Sequence, residues 1–241
     1  KAVTATFEVG AVVVATGWKP YPLDQLADLG GDLPDVIANV HLERLAAPAG
    51  PTGGKILRPS NGEPPAKVAF VQCAGSRDVN HLPYCSGVCC LASLKQAQYV
   101  KDQYPGAEVT MYYIDRRTPG RNEDFLLKAS AIEGVRLVKG KVGRIEQAAG
   151  SLKLHVEDVE NEKVIEAEAD LVVLATGMVP TAVDDDLALF TRKDADGFVL
   201  DDLASRVTVA GVARRPEDVA SSVRDATGAA ARALVAAGRR A

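Results

Sequence analysis

Three runs of apolar residues stand out along the chain: Ala11–Ala15 (AVVVA), Lys67–Gln72 (KVAFVQ) and Asp170–Ala175 (DLVVLA). They are β-branched and do not alternate with polar residues. That predicts parallel strands buried on both faces. Short strands are predicted at Thr4–Val9, Glu108–Ile114, Val135–Val138 and Val207–Ala210. Leu91, Leu94, Ala97 and Val100 fall near helical spacing and predict a helix over Ser86–Asp102. Asn122–Ile132 and Pro216–Gly238 read as further helices, the latter with Pro216 suited to its first turn. Leu23–Gly31 has room for one or two helical turns, and Pro48–Pro65 is loop by its Pro and Gly content. Val142–Ala169 alternates apolar and polar residues around turn signals, the mark of an antiparallel meander. Strands alternating with helices imply an α/β fold with parallel sheet.

One pattern occurs twice. AVVVATGWKP at 11–20 and DLVVLATGMVP at 170–180 are each an apolar strand, then Ala-Thr-Gly, then a proline. A strand delivers the chain to the carboxyl edge of a sheet, where ligands bind in α/β folds, and a glycine lets it turn away. Composition adds limits rather than a function. Apolar residues make up 47% of the 241, and the net charge of −4 gives no electrostatic case for nucleic acid. No apolar run reaches the length of a membrane-spanning helix. The opening at Lys1 lies inside a pattern and has no signal-peptide profile, so it reads as a start within a longer chain.

All four cysteines lie within Cys73–Cys90. Clustering in one stretch points to metal chemistry in a reducing compartment, not to a disulfide framework. Cys73 ends a predicted strand. Cys85, Cys89 and Cys90 open the predicted helix, with Cys85 and Cys89 on one face. Four thiolates converging from a strand end and a helix start can hold a [4Fe–4S] cluster. The first strand-to-helix crossover of a dinucleotide-binding unit carries a glycine-rich loop; here Cys73–Asp78 lacks it, which implies a redox centre in place of the nucleotide. Zinc, inert buried thiols and a redox disulfide remain open, as does a mixed site with His81.

The doubled motif and the segment 207–230 resemble the disulfide-reductase class of flavoproteins. On that resemblance Ala15, Thr16, Gly17 and Trp18 lie near FAD. Gly211, Val212, Pro216, Asp218, Val219 and Ser222 belong to the last flavin motif, where a helix N-terminus faces the flavin. Val212 stands where many members have Asp, which removes one ribityl contact. QCAGSRDVNHLPYCSGVCC (72–90), YYIDRRTPGRNEDF (113–125) and AGVARRPEDVASSVRDATGAA (210–230) resemble the A-type (HdrA-like) component of heterodisulfide reductase and its relatives. The resemblance implies a thioredoxin-reductase-like flavoprotein with two dinucleotide-binding domains, FAD, and a cluster on Cys73, Cys85, Cys89 and Cys90. Within that family, the ending at Ala241 and the stretch 214–234 look more like the A-type component (QmoA) of the quinone-interacting membrane-bound oxidoreductase. This implies partner subunits, one of them membrane-spanning, a link from the quinone pool to adenylylsulfate reductase, and a cytoplasmic place reaching the membrane only through partners.

The expected layout is the end of an FAD domain at 1–20, a linker at 21–65, an NAD-like domain at 66–178 and the return of the FAD domain at 179–241, with the first FAD glycine motif missing. No catalytic residue is assigned. Two other functions compete with electron transfer. One is an NAD(P)H-dependent reductase, with Asp115 for a ribose and Arg116 and Arg117 for a 2′-phosphate. The other is a non-catalytic docking module. Arg77, near the cysteines, is a candidate for tuning a cluster.

Overall fold

The computed structural model describes residues 3, 5–183 and 191–238. In chain order the elements are β1 (Val12–Val14), β2 (Trp18–Pro20), β3 (Val36–Ala38), α1 (Asn39–Ala46), β4 (Lys67–Ala74), α2 (Cys89–Gln103), β5 (Glu108–Tyr113), α3 (Asn122–Ser130), β6 (Val135–Gln147), β7 (Leu152–Asp158), β8 (Lys163–Ala169), β9 (Leu171–Thr176), β10 (Met178–Pro180), β11 (Arg192–Lys193), β12 (Val199–Leu200), β13 (Val207–Val209) and α4 (Val219–Gly238). They form two compact units, Pro20–Gly177 and Lys1–Lys19 with Met178–Ala241.

The Pro20–Gly177 unit is built on one sheet in the order β3-β9-β4-β5-β6-β7-β8. β3, β9, β4, β5 and the first part of β6 run parallel. β6 then continues as an antiparallel partner of β7, and β7 of β8. The two faces of β4 read directly from its sequence, because side chains alternate with period two. Val68 and Phe70 enter one core with Leu94 and Val100 of α2 and Met111 of β5. Ala69 and Val71 enter the other with Tyr112, Leu152, Leu154 and Val156. β9 lies between β3 and β4, and all six of its residues are buried, as its unbroken apolar run predicts.

Three expectations do not hold in this unit. Residues 21–65 are not a linker: β3 pairs with β9, Ile56 is fully buried, and Asp35 binds Arg58 and Ser60. Leu26, Val36 and Ile37 join the cores, so apolar residues hidden among Gly and Pro anchor this segment. The strand at Val135–Val138 extends to Gln147, because after leaving β5 it finds β7 as a partner. Helix α2 begins at Cys89, not Ser86, since Gly87 takes a positive φ of 74° and breaks the ladder before it.

The second unit holds a short core of Val14, Ala182, Val199, Val207, Val209 and Ala213. β1 pairs in parallel with β13, Val14 opposite Val209. The predicted two-sided burial of Ala11–Ala15 does not hold: only Val14 is buried, while Val12 and Val13 are 40% and 46% exposed. β13 is the only strand beside β1 among the described residues, and residues 5–9 of the predicted strand Thr4–Val9 form no ladder at all. A strand needs a partner, and none of the described residues supplies one. Thr4 itself lies outside the described residues.

Candidate redox site

β4 ends irregularly. Its register against β9 shifts between Val71 and Ala74, and Cys73 sits in the shift with a φ of 57°. A bulge re-aims the side chain it carries. A non-glycine residue in this left-handed region costs about 1–3 kcal/mol, strain of a kind that collects at functional sites. Arg77, four residues on, has a φ of 58°. Between Cys73 and Cys85 the loop folds back on itself. Arg77 N–H donates to Tyr84 O at 3.0 Å, Asp78 N–H to Leu82 O at 3.0 Å, and Leu82 N–H to Gly75 O at 3.1 Å. Tyr21 packs its ring against Gly75 and shares a 2.9 Å hydrogen bond with His81 Nδ1. That contact ties His81 Nδ1, and with it the loop, to Tyr21.

The fold-back returns Cys85 toward Cys73 just before α2 begins. The expectation that Cys85 and Cys89 share a helical face is wrong in detail: Cys85 lies in the loop, and Gly87 N–H donates to its Sγ at 3.4 Å. Cys89 and Cys90 are the first two residues of α2. The S–H of Cys89 lies 3.6 Å from Thr176 O at the end of β9, and that of Cys90 lies 3.9 Å from Asp115 O after β5. The carboxyl ends of β4, β9 and β5 and the start of α2 therefore meet around the four sulfurs. The N-terminus of α2 carries no side-chain cap, so its first-turn N–H groups favour an anion there.

All four cysteines are free thiols, and every pair among them interacts electrostatically. Burial pushes the Cys89 thiol up to about 12, and negative charge on Cys90, Cys73 or Cys85 would push it further the same way. Burial also raises Cys73, against the pull of the Arg77 guanidinium, and raises Cys90, against a hydrogen bond from the Arg117 backbone. Such a pocket disfavours bare thiolates and needs a cationic centre to hold them. Among the described residues no three His, Cys, Asp or Glu side chains converge tightly enough for a single metal ion. Around zinc, tetrahedral sulfurs lie about 3.8 Å apart, given a bond of about 2.3 Å. A four-iron cluster spreads its four thiolates more widely, and soft sulfur donors select iron–sulfur chemistry. The donor set fits the cluster better than it fits zinc.

Arg77 Nη1 donates to Asp115 Oδ1 at 2.7 Å, and Arg117 lies 3.5 Å from the same oxygen. Arg116 stacks over Tyr113. Asp115, weighed from sequence as a ribose ligand, is thus tied to the cysteine loop. The link was hidden in sequence because Arg77 and Asp115 lie 38 positions apart.

In the other unit, β1–β13 pairing brings Ala15, Thr16 and Gly211 to one sheet edge, and Gly17 O accepts from Thr181 N–H at 3.2 Å. Ala15, Thr16 and Trp18 are exposed there. A Cβ at Gly211 would stand 3.6 Å from Ser222. Val212 is buried and apolar. Helix α4 starts at Val219, so Pro216 precedes it instead of occupying its first turn. Asp218 caps it, accepting from Ser221 N–H at 2.6 Å. The N–H groups of Val219 and Ala220 stay outside the helical ladder. Sequence reading missed Asp225, which accepts from Gly211 N–H at 2.8 Å and pairs with Arg214 at 3.0 Å. The backbone donor of Gly211 at this edge is thus already spent on Asp225.

No family model matches the chain. It is 40% identical, over 95% of its length, to the A component of the H(2):CoB-CoM heterodisulfide,ferredoxin reductase of Methanothermobacter thermautotrophicus, of which it spans 37%. It is 36% identical, with the same coverage of each chain, to the second iron-sulfur A component of the CoB--CoM heterodisulfide reductase of Methanopyrus kandleri. Among solved structures, Lactococcus lactis thioredoxin reductase superposes with a TM-score of 0.61 at 14% identity, over 94% of this chain and 66% of that one. That likeness establishes the fold as thioredoxin-reductase-like. Over the part of those relatives that it spans, the chain is a member of the A-type (HdrA-like) heterodisulfide reductase family.

Proposed function

We propose that this chain is the core of an oxidoreductase subunit that passes electrons between FAD and a [4Fe–4S] cluster. Cys73, Cys85, Cys89 and Cys90 would hold the cluster; the edge at Ala15–Trp18, with Gly211, Val212, Pro216, Asp218, Val219 and Ser222, would hold the flavin. The observation that carries the reading is the meeting of four mutually interacting thiols at the uncapped start of α2. A bound cluster would take up single electrons, and a flavin would join one- and two-electron partners. The protein's own part is positional. The bulge aims Cys73, the Tyr21–His81 contact holds the loop, and Arg77, braced by Asp115, keeps a cation beside Cys73.

The family relatives are named as reductase subunits, which supports partner subunits for this chain too. The resemblance of 214–234 to the quinone-linked branch supports a membrane-spanning partner and delivery to adenylylsulfate reductase. No helix among the described residues is long and apolar enough to cross a membrane. Anaerobically purified protein, assayed for iron, acid-labile sulfide and flavin and then reduced and examined by EPR, tests the core proposal. About four irons and four sulfides per chain with a reducible cluster signal are expected. Flavin bleaching by NAD(P)H with no iron would favour the reductase reading instead.

A further inference from the structure

Buried polar side chains without partners are rare, and each one calls for a cause. Among the described residues eight buried side-chain nitrogen and oxygen atoms lack a hydrogen bond, and six of them belong to Gln72, Ser76, Ser93, Gln96 and Thr176. Four of these residues adjoin a cysteine. Gln72 immediately precedes Cys73 on β4, and both of its amide atoms are unpaired. The Ser76 N–H donates to Cys73 O at 3.1 Å, while its hydroxyl is unpaired. Ser93 follows Cys89 by one helical turn on the same face of α2. The Thr176 carbonyl faces the Cys89 sulfur, and its hydroxyl is unpaired. None of the four is more than 6% exposed. Gln96 differs: it lies further along α2, and its N–H donor is spent on Asn39 O and Glu43.

A hydroxyl or amide buried without a partner gives up its bonds to water and gains none in return. Four such residues around one group of cysteines, against three in all the rest of the described residues, indicate donors held for something that arrives later. We infer that Gln72, Ser76, Ser93 and Thr176 form a set of hydrogen-bond donors kept for the sulfur atoms of the cluster, setting its reduction potential. The inference rests on the cluster proposal above. Donors to cluster sulfur favour the more negative, reduced state, so each one raises the potential.

The two states of the protein give opposite predictions. In metal-free protein, Gln72→Leu, Ser93→Ala and Thr176→Val remove an unpaired group and should leave the melting temperature equal to wild type or higher. In anaerobically loaded protein with unchanged iron content, each variant should show a more negative cluster midpoint in an EPR-monitored redox titration. Thr176→Val keeps the shape of the side chain, so it stays informative if Gln72→Leu fails to fold. Midpoints equal to wild type at full iron content would overturn the inference and leave the cluster proposal standing. So would a fall in stability of the metal-free variants, which would mean that the groups already have partners. Wild-type protein that takes up no iron would overturn the cluster proposal itself, and this inference with it.

Discussion

The two Ala-Thr-Gly turns end in glycines that look alike in sequence but are required for different physical reasons. Gly17 has a φ of 73°, and nothing lies within 4 Å of where a Cβ would stand. Its requirement is conformational. Gly177 is not in the left-handed region, but a Cβ there would stand 2.3 Å from Ser76 Oγ, 2.6 Å from Leu82 Cδ1 and 3.3 Å from Ser86 Oγ. Its requirement is space, and the atoms it would strike belong to the loop that joins Cys73 to Cys85 and to the residue just after it. Gly177→Ala therefore overpacks a buried seam, at about 1–3 kcal/mol. For a unit of this size each kcal/mol lowers the melting temperature by about 2–4 °C, which predicts a loss of about 2–12 °C. Gly17→Ala should cost about 1–2 kcal/mol through its backbone alone. Gly17→Asn should recover much of that loss, because Asn tolerates the left-handed region, whereas Gly177→Asn should be worse than Gly177→Ala. Thermal unfolding followed by circular dichroism measures all four. If Gly177→Ala melts with wild type, or if Asn rescues position 177 and not 17, the reasoning from the two sites is wrong.

Further outcomes follow from buried chemistry. With its thiol pushed up to about 12, Cys89 of metal-free protein should react with iodoacetamide at pH 8 roughly a thousandfold more slowly than an ordinary cysteine, tenfold faster per pH unit until near that value; peptide mapping by mass spectrometry would show it, and fast labelling at pH 8 would contradict it. For Asp35, burial would raise the carboxyl, but hydrogen bonds from Ser60 and Arg58 outweigh it and hold it below the usual range. Its contribution is thus present above the unfolded carboxyl pKa and lost as pH falls through the lower folded value. Asp35→Ala should cost about 3–5 kcal/mol in urea titrations at pH 7, and the gap to wild type should narrow below about pH 4. A gap that is the same at pH 3 and pH 7 would refute the assignment.

The central sheet was legible because buried parallel strands write themselves as unbroken apolar runs: Lys67–Gln72 and Asp170–Ala175 became β4 and β9. The meander was legible by its alternation. β1 was misread because the same β-branched signal does not say whether a partner covers the strand; in the described residues Val12 and Val13 stand exposed. The start of α2 was misplaced by three residues because Gly87 interrupts a sequence whose apolar spacing continues past it. The cysteine spacing singles out a candidate donor set, yet the bulge at Cys73, the Arg77–Asp115 brace and the unpaired Gln72 and Thr176 are products of tertiary contact. No local pattern encodes them.

Cluster binding requires four particular sulfurs to act together as ligands. Serine substitutions at Cys73, Cys85, Cys89 and Cys90, one at a time, followed by iron and sulfide counts on anaerobically prepared protein, probe that most directly. Each single change should lower the iron content and abolish the native cluster spectrum, while leaving the fold intact by circular dichroism. Full iron in any one of the four variants with the wild-type spectrum, or one zinc per chain in the unaltered protein, would contradict it.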